Sequence, residues 1–127
     1  MSFFDKIFGS ENSEVNSNVN WIPLTAISQL DEIVENSNNK TIVIFKHSTR
    51  CSISRFALKQ FESEYNLEDK VDLYFLDLLN YREVSNEIVN RFQVVHQSPQ
   101  LLLIKNGVAV YNASHSDIQA EFLEKYI

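Results

Sequence analysis

Ile27, Leu30, Ile33 and Val34 recur at spacings of three and four behind Thr25. The spacing predicts a first helix over 26–35 with Thr25 as its N-cap. Thr41 to Lys46 then holds Ile42, Val43, Ile44 and Phe45 in an unbroken apolar run, β-branched and aromatic, which suits a strand covered on both faces and central in its sheet. A second helical pattern runs from Cys51 to Tyr65, with Ile53, Ala57 and Phe61 along one side. Val71 to Leu78 reads as a strand, and Val84, Ile88, Val89 and Phe92 as a further helix. Pro99 to Lys105, Asn106-Gly107 and Val108 to Asn112 form a hairpin, because Asn-Gly accepts the positive φ of a two-residue turn. Ser116 is placed to cap a last helix through Ile118, Phe122, Leu123 and Tyr126. The order α, β, α, β, α, β, β, α predicts an α/β domain whose mixed four-stranded sheet carries helices on both faces.

The first twenty residues break this regularity. Gly9 to Asn20 is rich in Ser, Asn and Glu, so residues 1–20 read as a flexible N-terminal segment and 21–127 as one domain. Phe3, Phe4, Ile7 and Phe8 make a short apolar stripe if helical, read here as a turn docking on the domain or fraying. Asp5 and Lys6 interrupt that stripe, and it is far shorter than a membrane helix or a signal sequence requires.

Composition narrows the function classes. A chain of 127 residues, 44% hydrophobic, suits one domain with its own core. Its 17 acidic against 11 basic residues, a net charge of −6, argue against nucleic acid as partner and give no sign of a membrane surface. The single cysteine forms no internal disulfide, which fits a reduced, cytoplasmic setting. Association is open, because apolar helix faces serve core and interface equally.

That cysteine, Cys51, falls where a strand gives way to a helix, inside the polar run His47-Ser-Thr-Arg-Cys-Ser-Ile-Ser54. A thiol at a helix N-terminus meets unpaired backbone N–H groups and the positive end of the helix dipole, and both favour a thiolate. Lowering a thiol's pKa adds little to its rate of attack, because nucleophilicity falls as ionisation rises. It does make the sulfur a better leaving group. Three residues on, where a dithiol redox protein carries a second cysteine, stands Ser54. Its hydroxyl is in reach of the thiolate or a backbone N–H, but cannot resolve a disulfide. Arg50 precedes the cysteine, and Arg55 and Lys59 follow on roughly its helix face, either as a solvated face or as partners for carboxylates of an anionic thiol. His47 either tunes the thiolate or merely ends the strand. His96 stands beside the Ser98-Pro99 turn, near the thiol or on the surface.

Phe45-Lys-His-Ser-Thr-Arg-Cys-Ser-Ile-Ser54, the following Ala57 and Phe61-Glu62, and Val95-His-Gln-Ser-Pro-Gln100 together resemble the monothiol bacilliredoxin family of the bacillithiol system. The resemblance implies a thioredoxin-like fold, a redox-active Cys51, and a cis peptide bond at Ser98-Pro99 facing it. It implies removal of bacillithiol from thiolated client proteins, with bacillithiol or a similar small thiol as co-substrate, no tightly bound cofactor and no metal. Bacillithiol's malate moiety would give Arg50 or Arg55 an anionic target. The family's familiar form has Pro directly after the cysteine; here Ser52 restores a backbone donor near the sulfur. Two other readings stand beside this one. One is a monothiol-glutaredoxin-like carrier that holds an iron–sulfur cluster with Cys51 and an external thiol. The other is a thioredoxin-fold interaction module in which Cys51 has no redox role.

Overall fold

The computed structural model describes residues 19–66 and 70–126, so the N-terminal stripe of Phe3 to Phe8 and most of the expected flexible segment lie outside the described residues. Its elements in chain order are β1 (Trp21–Pro23), α1 (Ser28–Asn36), β2 (Thr41–His47), α2 (Ser52–Glu64), β3 (Val71–Asp77), α3 (Arg82–Phe92), β4 (Gln100–Lys105) and β5 (Val108–Ser114). Two 3₁₀ segments, His115–Asp117 and Ala120–Tyr126, follow.

The strands form one mixed sheet in the order β1-β3-β2-β4-β5. β3 runs parallel to both β1 and β2, while β4 is antiparallel to β2 and β5. All seven residues of β2 are buried, as its unbroken apolar run requires. Alternation along β2 sends Val43 and Phe45 into a core under α2 and the 3₁₀ segments, and Ile42 and Ile44 into a core under α1 and α3. Helices therefore cover both faces, and the C-terminal end of β2 and the N-terminal end of β4 lie side by side at one end of the sheet.

Four expectations change in detail. The sheet has five strands, because Trp21–Pro23 pairs with Leu73–Phe75 at its edge, where a strand tolerates proline. Through this strand Trp21 joins Phe45, Phe61 and Phe75, with ring centroids 5.6–5.8 Å away, and its Nε1–H donates to Glu62 at 2.7 Å. Helix α1 begins at Ser28 instead of behind Thr25, since the Gln29 side chain accepts the Thr25 and Ala26 N–H groups at 2.7 and 3.0 Å and holds them outside the helix. In α2 the buried side is Ser54, Ala57, Leu58 and Phe61, and Ile53 points to solvent. Finally, the last helix is 3₁₀: Ala120, Leu123 and Tyr126 lie at strict spacings of three, which align on one face of a three-residue turn and bury Ala120 and Leu123.

Candidate thiol site

β2 ends at His47, a turn covers 48–50, and Cys51 is the N-cap of α2, with extended backbone at φ −111° and ψ 121°. The turn closes by two backbone bonds: Cys51 N–H to the Ser48 carbonyl at 3.2 Å, and Arg55 N–H to the Cys51 carbonyl at 3.1 Å. Cys51 is thus a free, half-buried thiol at the mouth of a thirteen-residue helix, where the N–H groups of the first turn lack intrahelical acceptors.

Ser54 does something more specific than its sequence position suggested. It is wholly buried, and its Oγ accepts the Ser48 N–H at 3.1 Å and lies 2.7 Å from Nδ1 of His47. With the oxygen already accepting from Ser48, its own proton can go to the imidazole. The hydroxyl therefore fastens the 47–54 turn, and its hydrogen bonds go to His47 and Ser48.

His47 is the last residue of β2 and the partner of Ser54 in one. Burial pushes its imidazole down to about 4; Asp77, its register partner on β3, pulls upward, and the Arg55 cation pushes further down. The ring is neutral at physiological pH and leans on Phe75, with centroids 5.3 Å apart. One carboxylate oxygen of Asp77 is buried without a hydrogen-bond partner, while the other accepts from Asn80 at 2.7 Å.

The cations divide. Arg55 is exposed and folds back, donating to the Thr49 carbonyl at 3.1 Å, which holds its charge beside the turn. Arg50 is exposed at the turn and Ser52 at the first helical position. Lys59 acts on Glu62: burial raises that carboxyl, and the Trp21 hydrogen bond and the Lys59 cation oppose the rise.

At the same end of the sheet, the segment after α3 leads through a cis Ser98–Pro99 bond into β4. Pro99 is buried, and Ser98 Oγ is buried without a hydrogen-bond partner. His96 goes to Lys46 rather than to the thiol: the lysine Nζ donates to its Nδ1 at 2.8 Å. Partial burial lowers the His96 ring below its ordinary value, and the Lys46 and Arg82 cations lower it further.

Lys46 itself escaped the sequence reading. It is wholly buried on the face shared with Ile42 and Ile44, and burial lowers its ammonium to about 8. Its register partner on β4 is Gln100, also buried, whose Oε1 accepts from Nζ at 3.0 Å. The available signal was a long polar residue beside each apolar run, Lys46 after Ile42 to Phe45 and Gln100 before Leu101 to Ile104. Among the described residues no group of His, Cys, Asp and Glu side chains is arranged to hold a metal ion, and no helix is long and apolar enough to cross a membrane.

Comparison with known proteins agrees with this geometry. The family model described as monothiol bacilliredoxin BrxC matches residues 22–123, and the chain belongs to that family. A solved structure of a thioredoxin-fold protein, described as a proposed oxidoreductase, is 35% identical with a TM-score of 0.71, covering 82% of this chain and 90% of that one. Thioredoxin from Schistosoma mansoni (19% identity, TM-score 0.68, 88% of this chain and 100% of that one) shares the fold. So does the Malassezia sympodialis thioredoxin Mala s 13 (17% identity, TM-score 0.66, 90% and 93%). The fold is that of thioredoxin, and the family carries a thiol redox role.

Proposed function

We propose that the protein removes a small thiol from client mixed disulfides through Cys51. The Cys51 thiolate attacks the small-thiol sulfur, a new disulfide forms between them, and the client leaves as its thiolate. A second small-thiol anion then attacks the small-thiol sulfur of that adduct, releasing Cys51 as thiolate and a symmetrical small-thiol disulfide. Electrons for regeneration come from the incoming small thiol.

The observation that carries this reading is that Cys51 is half-exposed at the start of α2 while the position one turn on is a serine fastened to His47 and Ser48. The adduct on Cys51 therefore persists until a second molecule arrives. Ile53, Phe56 and Val95, which are 56%, 70% and 76% exposed on α2 and in the segment before β4, offer an apolar contact for a protein client. Bacillithiol is the small thiol the family points to, and Arg50 and Arg55 supply cations for its carboxylates.

The test is to incubate the protein with a peptide carrying a bacillithiol mixed disulfide and follow intact mass. One small-thiol mass should appear on Cys51, be absent in Cys51→Ser, and disappear on adding free bacillithiol. Absence of any adduct on the wild-type protein sinks the proposal.

A further inference from the structure

Lys46 is an uncomfortable residue for the place it occupies. Its same-face neighbours on β2 are Ile42 and Ile44, it has no exposed surface, and both of its hydrogen-bond acceptors, His96 Nδ1 and Gln100 Oε1, are neutral. A buried ammonium without a carboxylate recovers little of its desolvation cost, so an apolar side chain of similar length would sit there at least as well.

What the ammonium does hold is a stretch of chain without regular structure. Gln100, gripped through Oε1 by Lys46, also accepts the Gln97 N–H there at 3.3 Å and donates through Nε2 to the Val95 carbonyl at 3.0 Å. The His96 ring rests on Nζ itself. Three successive residues, 95 to 97, are thus tied to one pair of side chains crossing from β2 to β4. That stretch leads into Ser98 and Pro99 at the end of the sheet where β2 runs out toward Cys51.

We infer that Lys46 is a positioning residue for thiol exchange: its buried ammonium, acting through Gln100 and His96, fixes residues 95–97 as the second wall of the site where a mixed disulfide docks beside Cys51. The inference rests on the exchange reading of Cys51. Lys46 touches neither thiol nor substrate; it acts by shaping what the substrate meets, and charge is spent there for geometry.

Lys46→Met keeps the stem and removes the charge and its hydrogen bonds. The variant should melt at or above the wild-type temperature, and iodoacetamide, too small to need the wall, should alkylate its Cys51 within about twofold of the wild-type rate. Exchange with a bacillithiol-loaded peptide should fall by roughly tenfold or more, mainly as a higher KM, because modest misplacement of a docking wall is costly. Gln100→Leu, which leaves Lys46 in place, should reproduce the KM change. A Lys46→Met protein that exchanges like wild type, loses alkylation and exchange together, or unfolds overturns the inference. Hydrogen exchange at the Gln97 amide keeps this separate from the reading of Cys51. If the variant loses that protection while wild-type protein forms no adduct, Cys51 chemistry fails and the wall stands. If protection is unchanged, the role of Lys46 fails by itself.

Discussion

Lys46 and His47 are consecutive residues at the end of β2, and strand alternation sends them to opposite faces of the sheet. Both are buried bases whose charged form is penalised by burial, His47 down to about 4 and Lys46 down to about 8. Yet they end in different states at neutral pH. The imidazole has shed its charge and closes a neutral network with Ser54 and Ser48, under the helix that carries Cys51. The lysine keeps most of its charge and spends it on neutral acceptors beneath residues 95–97. One side of the site is fixed by a network that is complete without charge, and the other by an ion whose burial no carboxylate among the described residues offsets. The difference predicts that the two respond to pH in separate windows and unequally to deletion of their partners.

The largest effects should be the two titrations. For His47 the unfolded chain binds a proton at 6.5 and the folded protein at about 4, so its contribution is fully present above 6.5 and is lost as pH falls toward 4. Across that gap the loss is about 3 kcal/mol. Glu62 acts in the opposite sense, since its raised carboxyl contributes stability that fades as pH rises. Subtracting urea midpoints of His47→Gln from wild type, between about pH 7 and pH 4, cancels Glu62 and should leave the His47 loss. For Lys46 the penalty is constant below about 8 and is relieved as pH rises toward 10.5, so wild type should gain on Lys46→Met in that window, again by about 3 kcal/mol. Equal slopes for the two residues in the same window would break the comparison.

Next in size is the deletion of a partner on the neutral side. Ser54→Ala leaves the Ser48 N–H and His47 Nδ1 without acceptor and donor in a dry setting, at a cost of about 1–2 kcal/mol. Denaturant unfolding reads the loss, and a double-mutant cycle with His47→Gln should show the two changes to be non-additive. A purely additive result would mean that Ser54 and His47 are held independently.

Much of this arrangement is written locally in the chain. The apolar run of Ile42 to Phe45 dictates a doubly covered strand, the polar junction after it dictates where Cys51 begins a helix, and Asn106-Gly107, both with positive φ, dictates the hairpin. Partnership across the sheet is not local. That Lys46 stands opposite Gln100, and His47 beside Asp77, follows from register, and no spacing in the chain reveals which residues share a rung. The same holds for β1, whose three residues are too few to signal a strand until β3 lies beside them. Ser54 was legible as the absent second thiol, but its attachment to His47 needed the fold to bring residues 47 and 54 onto one buried face. The 3₁₀ ending needed it as well, because Ile118, Phe122 and Tyr126 satisfy helical spacings in the sequence, and the choice of turn is made by packing against the core.

The smallest effect should come from deleting a partner on the charged side. His96 is exposed where Ser54 is buried, although each lies within 2.8 Å of its buried base. In His96→Ala, water can reach Nζ and take the place of the imidazole, while Gln100 continues to accept from it. Stability should change by about 0.5 kcal/mol or less, well under the cost of Ser54→Ala. The same opening relieves the desolvation that lowers Lys46, so its titration should move back toward the ordinary lysine range and the alkaline gain in stability should shrink. Urea unfolding of His96→Ala at about pH 7 and pH 10 reads both quantities. A loss as large as that of Ser54→Ala, with the alkaline gain intact, would mean that His96 braces the fold instead of covering a charge, and the two faces of β2 would then be alike.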